Sequence, residues 1–329
     1  MTVTVGDPAL ASDIRFGLSE VERRLTEELT DVDDRFVTEG ATLLIQAGGK
    51  RFRPTLALLG GQFGDHPHRD DVLTAAVVAE LVHVATLYHD DVMDEAPRRH
   101  GVPTANVRWG NNIAVLFGDL LLARAAKLGA CLGVEALRLQ VHTIDRLVRG
   151  QLRETMGPRP GTDPRAHCLS VMADKSASLI AMSAQLGALA AGADARTCAA
   201  LSRFGERLGI AFQISDDLID IESGVGDMGK VPGTDLREGV VTIPVLHALA
   251  EPGPDSARLR EILATGALTE PAPHTEALDL LRRSPGLARA RADVREYATR
   301  ARVQLAGLPP LPAWAALESL CDFVVARTG

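Results

Sequence analysis

Residues 19–36 read SEVERRLTEELTDVDDRF, with apolar side chains at Val21, Leu25, Leu29, Val32 and Phe36. Steps of three and four place these five on one face of a helix, and the residues between them are charged or polar. The same periodicity predicts helices over 55–63, 73–94, 113–132, 135–156, 165–191, 197–221, 241–250 and part of 304–327. No convincing alternating strand bounded by turns occurs. The breaks are chemically plain: Ala47-Gly48-Gly49 before Pro54, the Gly-Pro run at 157–161, the glycine-rich stretch 224–239, and Glu251-Pro252-Gly253-Pro254. None reads as a linker, because the segments on either side are equally apolar. The expected fold is all-α, with one domain over 1–329, against a length prior of about two domains.

Composition agrees. The 329 residues are 46% hydrophobic and only 4% aromatic, which favours helices over a β-sandwich and excludes disorder. The formal net charge of −8 argues against a general nucleic-acid binder. Cys131, Cys168, Cys198 and Cys321 form no C-x-x-C pair and read as buried thiols of a reducing compartment. The first 20 residues lack a basic start and an unbroken apolar run, and no stretch of 18 apolar residues occurs. The expectation is a cytoplasmic protein without a transmembrane segment.

One motif recurs. His89-Asp90-Asp91-Val92-Met93-Asp94 and Ser215-Asp216-Asp217-Leu218-Ile219-Asp220 are both D-D-x-x-D, each after an apolar run. On a helix the first and last aspartates lie one turn apart on one face, and the middle one sits about 100° round. Like charges so placed destabilise a helix by roughly 0.2–0.5 kcal/mol per pair, and more in an apolar setting. A single such motif reads equally as a solvated acidic helix end. Two of them call for a cation, and Mg²⁺ suits carboxylate oxygens completed by water and phosphate. A di-iron bundle would need two Glu-x-x-His motifs, and Glu80-Leu81-Val82-His83 is a single candidate.

Basic groups are placed to answer. Gly48-Gly49-Lys50-Arg51-Phe52-Arg53-Pro54 is a glycine turn with three cations at a helix start, an anion-binding pattern without P-loop spacing. Pro97-Arg98-Arg99-His100-Gly101 follows the first acidic motif. Lys175-Ser176 lies in an apolar helix, Gln213 precedes Asp216 by one turn, and Lys230 falls in the glycine-rich loop. Two metal-binding carboxylate sets, cations and apolar helices suit ionisation of a diphosphate ester to a carbocation in a dry pocket.

The chain resembles the trans-isoprenyl diphosphate synthases, or polyprenyl synthetases. The ordered motifs GGKRFRP, HDDVMD, GVPTANVRWGN, AVLFGDLLLA, DKSAS, FQISDDLID, GTDLREG and LCDFVVAR carry the resemblance over most of its length. It implies a single helical bundle around a deep central cavity, usually a homodimer. It also implies a Mg²⁺-dependent enzyme, with three ions when substrate is bound, joining isopentenyl diphosphate to an allylic diphosphate head to tail. By the resemblance Asp90, Asp91, Asp94, Asp216, Asp217 and Asp220 hold the metal. Gly49, Lys50, Arg53, His83 and His100 hold isopentenyl diphosphate. Arg99, Lys175, Ser176, Gln213 and Lys230 hold the allylic diphosphate, and Asp90, Asp94, Arg99, Lys175 and Lys230 carry the catalysis.

Two positions depart from the family pattern. His100 replaces an arginine, and a neutral imidazole is a weaker phosphate ligand. Val240 stands where some relatives carry lysine. Ala85 and Thr86, one turn before the first motif, match the floor that limits the growing chain. Both are small, which implies a product longer than C20, in roughly the C30–C50 range. A C20 product is the alternative, if Leu120 or Leu128 closes the cavity lower. A terpene cyclase lacks the second substrate site. A non-catalytic partner subunit would not need both acidic motifs intact. Without the six motif aspartates the formal charge falls from −8 to −2, so most of the acid excess equals the two proposed metal sites.

Overall fold

The computed structural model describes residues 5–31, 33–223 and 232–328. The fold is all-α, as the periodicity predicts, with one strand pair among the described residues, Arg98–Arg99 with Val102–Pro103. In chain order the helices are α1 (Pro8–Leu29), α2 (Arg35–Gln46), α3 (Phe52–Gly61), α4 (Asp70–Met93), α5 (Ala105–Trp109), α6 (Asn111–Cys131), α7 (Val134–Met156) and α8 (Pro164–Val171). After a π-helical turn at Met172–Ala177 come α9 (Ser178–Ala190), α10 (Ala195–Glu222), α11 (Thr234–Glu238), α12 (Ile243–Ala250), α13 (Pro254–Leu263), α14 (Pro271–Arg282), α15 (Gly286–Leu305) and α16 (Pro312–Ala326).

The opening stretch is a helix only in part. α1 stops at Leu29, and Thr30 closes it with its N–H on the carbonyls of Thr26 and Glu27. Asp34 then caps α2, its carboxylate accepting from the N–H groups of Phe36 and Val37. Val21, Leu25 and Leu29 are buried on α1 as expected, whereas Phe36 belongs to the next helix and Val32 lies outside the described residues. Local side-chain capping by Asp and Thr overrides a periodic pattern that continues through the break.

Two compact units make up the chain, each drawn from three separated segments. The first comprises Met1–Arg146, Leu179–Gly205 and Leu305–Ser319, and the second Leu147–Ser178, Glu206–Gln304 and Leu320–Gly329.

In the first unit α4 is the core helix, packed by α1, α3 and α6. Its apolar residues cover nearly all sides, which marks a buried helix. It is long and apolar enough to cross a membrane by composition, but 67% of that window is buried inside the protein. Glycines allow helices α3 and α9 to touch. A Cβ on Gly60 would stand 2.1 Å from the Ala184 carbonyl oxygen, and one on Gly187 1.8 Å from that of Ala57. Phe36, Tyr88, Trp109 and Phe117 pack their rings at centroid distances of 5.6–6.2 Å, and Phe117 fills the space a side chain at Gly40 would take.

In the second unit α12 packs against α8, α13 and α14. Asp293 of α15 is 8% exposed and is held from two sides. It accepts both carboxylate bonds from Arg165 of α8 at 3.0 Å and lies 2.8 Å from His247 of α12.

Candidate active site

In the first unit the glycine turn and the end of α4 carry most of the predicted residues. Gly48 has φ +88°, and Arg51 caps α3 in the left-handed region at φ +45°. Gly49 and Lys50 are exposed. Arg53 is half-buried, and its Nε has no hydrogen-bond partner. Burial pulls its pKa down to about 10, with the Glu80 carboxylate opposing. His83, on α4, is held neutral by burial and by the positive field of Arg53, His100, Arg99 and Arg51. These groups therefore form one cationic neighbourhood, the arrangement a diphosphate requires.

His100 belongs to this group through its backbone. The pairs Arg98–Pro103 and Arg99–Val102 leave His100 (φ +49°) and Gly101 (φ +83°) as a two-residue hairpin turn with both φ positive. Histidine is among the non-glycine residues that tolerate this region. Burial and the neighbouring Arg99 and Arg51 lower its pKa, and a hydrogen bond to the backbone of Gly48 pulls it back up. The hairpin tip thus rests on the glycine turn. Arg98 is exposed and donates to the Gly101 carbonyl at 2.6 Å.

The first acidic motif divides its aspartates. Asp91 is 1% exposed and accepts from Arg99 Nε, while its Oδ2 is buried without a partner. Burial raises its pKa against that pairing. Asp90 is half-buried and Asp94 exposed, and the Asp94 N–H bonds the Asp90 carbonyl at the helix end. Ala85 is fully enclosed. Thr86 is half-buried, and its hydroxyl donates to the His83 carbonyl at 2.7 Å. Leu128 packs on the cluster of Ala75 and Val78, seven residues or more up α4 from Ala85.

In the second unit Lys175 and Ser176 lie in the π turn, a local widening often found at functional sites. Gly150 makes it possible: a Cβ there would stand 2.5 Å from the Lys175 backbone nitrogen. Lys175 pairs with Glu154, and Asp174 with Arg153. Ser176 donates to Gln213 Oε1 at 3.0 Å, and Gln213 Nε2 donates to Asp217 Oδ1 at 3.1 Å.

The three aspartates of the second motif also differ. Asp217 is 4% exposed and its Oδ2 lacks a partner. Burial and the carboxylates of Asp235, Asp216 and Asp220 push its pKa well up. Asp216 pairs with Arg327 near the C-terminus. Asp220 accepts from the N–H groups of Thr234 (3.2 Å) and Asp235 (3.3 Å), tying α11 to α10. Val240 bonds the Asp235 carbonyl at 2.8 Å. Lys230 lies outside the described residues.

Sequence reasoning passes over four residues here: Glu154, Gly150, Asp235 and Arg327. Gly150 and Glu154 are four apart on α7, and Asp235 and Arg327 lie inside GTDLREG and LCDFVVAR, so the motifs hold the signal for these two without the role.

Among the described residues no three acidic, imidazole or thiol groups gather closely enough to hold a metal by themselves. The crowded carboxylates around Asp217, with an orphaned buried oxygen, nevertheless fit a hard divalent cation. Mg²⁺ takes one or two carboxylates and completes its shell with water and phosphate.

Comparison with known proteins agrees with this chemistry. The chain is 47% identical over 327 residues to a nonaprenyl diphosphate synthase of Mycobacterium tuberculosis, covering 99% of this chain and 97% of that protein. A crystal structure of geranylgeranyl pyrophosphate synthase from Corynebacterium glutamicum, complexed with calcium and isoprenyl diphosphate, superposes with TM-score 0.89 at 44% identity. The match covers 99% of this chain and 100% of that one. A decaprenyl diphosphate synthase from Rhodobacter capsulatus gives TM-score 0.88 at 30% identity, over 98% and 99% of the two chains. Residues 34–280 match the polyprenyl synthetase family, and the chain belongs to it.

Proposed function

We propose that this prenyltransferase condenses isopentenyl diphosphate with an allylic diphosphate, head to tail, to a polyprenyl diphosphate longer than C20. The observation that carries the reading is the gathering of the Arg53 and Arg99 cations with the imidazoles of His83 and His100, at and above the first acidic motif. Gly49, Lys50, Arg53, His83 and His100 bind isopentenyl diphosphate. His83 serves as a neutral hydrogen-bonding group, so the charge comes from Arg53 and Lys50. Asp91 leaves Arg99 its two terminal nitrogens for the allylic diphosphate, whose other ligands are Lys175, Ser176, Gln213 and Lys230.

Asp90 and Asp94, with Asp91 behind them, and Asp216, Asp217 and Asp220 would hold Mg²⁺, three ions with substrate. When bound, the metal stabilises charge on the departing pyrophosphate. Arg99 and Lys175 add fixed positive charge at the same group, which lowers the ionisation barrier. The pyrophosphate itself accepts the final proton.

Product length follows from α4. Its Ala85 and Thr86 carry no bulk, and Leu128 packs seven residues or more further along, about 10 Å of helix. The nonaprenyl synthase similarity supports a long product. The similarity to a geranylgeranyl pyrophosphate synthase supports the second reading, a C20 product.

The enzyme works as a cytoplasmic homodimer with one prenyltransferase domain over 1–329. Val115 and Leu116 on α6, and Val134 and Val141 on α7, are exposed apolar side chains that a second copy would cover. The test incubates purified protein with Mg²⁺, isopentenyl diphosphate and farnesyl or geranylgeranyl diphosphate, then resolves products by chain length. Products beyond C20 support the proposal, arrest at C20 supports the second reading, and no elongation refutes both.

A further inference from the structure

The motif Glu80-Leu81-Val82-His83 has no place in the chemistry above except through His83, yet Glu80 is one of the most deeply buried carboxylates of the first unit. It is 3% exposed on α4, and its Oε1 accepts from Arg51 Nη1 at 2.9 Å. Arg51 is itself 8% exposed and is held on every side. It pairs with Glu22 of α1, donates to the Ile45 carbonyl of α2 at 2.8 Å, and caps α3 in the left-handed region. A Cβ on Gly49 would stand 2.9 Å from Arg51 Nη1, so the glycine turn is moulded over this guanidinium. Burial raises the pKa of Glu80, and the positive charges of Arg51 and Arg53 oppose that shift. A buried carboxylate is costly unless paired, so Glu80 and Arg51 fix each other and, with them, the turn above.

We infer that Glu80 is a positioning residue for the isopentenyl diphosphate site, acting through Arg51 to hold the Gly48–Arg53 turn. This rests on the assignment of Lys50 and Arg53 to isopentenyl diphosphate. Glu80 touches no substrate. Its removal unbends the turn and weakens one substrate selectively.

Steady-state kinetics of Glu80→Gln, with each substrate varied in turn, provide the test. The KM for isopentenyl diphosphate is expected to rise roughly tenfold, the loss of a charge-assisted hydrogen bond. The allylic KM is expected to stay within about twofold and kcat within about threefold. An unchanged isopentenyl KM overturns the inference, as does a parallel fall in kcat with both KM values raised. Where Glu80→Gln does not fold, the double variant Glu80→Leu with Arg51→Met replaces the buried pair by apolar volume, an exchange that is often neutral for stability. It is expected to show the same selective rise, and a wild-type isopentenyl KM in it overturns the inference. Arg53→Gln separates the two levels. If Arg53→Gln leaves the isopentenyl KM unchanged, the site assignment fails. If it raises that KM while the Glu80 variants do not, the positioning role fails.

Discussion

Arg99 Nε donates to Asp91 Oδ1 at 2.5 Å, and the aspartate is 1% exposed. The middle residue of the first acidic motif is therefore committed to an arginine next to its own helix, while Asp94 points to solvent. Asp91→Asn is expected to cost about 1–3 kcal/mol of stability, because it weakens a charge-assisted bond in a buried setting. Asp94→Asn should leave the melting temperature within about 2 °C, on the small effect expected at the surface, and lower kcat at least about a hundredfold. Thermal unfolding alongside steady-state rates separates the two. Equal melting losses would remove the distinction.

The two residues of the proposed floor should not respond alike. Ala85 is enclosed, whereas Thr86 is half-buried. Thr86→Phe is expected to shorten the product with little loss of stability. Ala85→Phe should also shorten it, but at about 1–3 kcal/mol from overpacking. Product chain length by chromatography and unfolding midpoints check this. Unchanged products in both variants would sink the floor assignment.

Arg327 supplies Asp216 with a positive partner, its guanidinium stacked 4.6 Å from the Phe212 ring centroid. In Arg327→Met the carboxylate loses that positive charge, which a cation bound at the motif would offset. Addition of Mg²⁺ is expected to raise the melting temperature of this variant more than that of the wild type, by mass action on the native state. Chelation with EDTA should reverse the gain. Equal Mg²⁺ shifts in both proteins count against a metal role for Asp216.

His83 makes stability depend on pH in one direction. Its folded pKa lies well below the usual imidazole value of about 6.5. Below that value the unfolded chain binds a proton that the folded protein refuses, so stability falls as the pH drops. The slope approaches about 1.4 kcal/mol per pH unit. His83→Gln should flatten the difference between pH 7 and pH 5 in denaturant titrations. An unchanged slope would place the acid sensitivity elsewhere.

Gly150 is where α7 meets the backbone of the π turn. Gly150→Ala is expected to displace Lys175 and reduce kcat about tenfold or more, since small misplacements of a charged group at the reaction cost this much. Far-ultraviolet circular dichroism should show the helix content retained. Normal turnover would show that the π turn does not need this contact.

Much of the architecture is legible in the amino-acid order. The apolar spacing reads through the cores of α3, α4, α6, α7 and α10, and through α8 and α9 as one run. The π turn inside that run is invisible, because it changes hydrogen bonding without changing which residues are apolar. α13, α14 and α15 also escape the reading, since their exposed faces are rich in charge and dilute the pattern. The glycine turn and both acidic motifs are legible as sites. Arg51 reads as one of three turn cations, and only its burial between Glu22 and Glu80 sets it apart from Lys50 and Arg53.

The sequence alone determines that the protein is helical, that it carries two D-D-x-x-D motifs and a basic glycine turn in the order of the polyprenyl synthetases, and that its acid excess nearly equals those motifs. These are properties of spacing and composition, which act along the chain. Tertiary structure decides how six similar aspartates divide. Asp91 takes Arg99, Asp217 takes Gln213, Asp216 takes Arg327 and Asp220 caps α11. Those partners stand as few as four and as many as 111 residues away in the chain. A carboxylate's energy is set by the charges and hydrogen bonds that reach it in space, and apart from the Gln213–Asp217 pair these come from outside its own helix, so the repeated motif alone does not tell these aspartates apart.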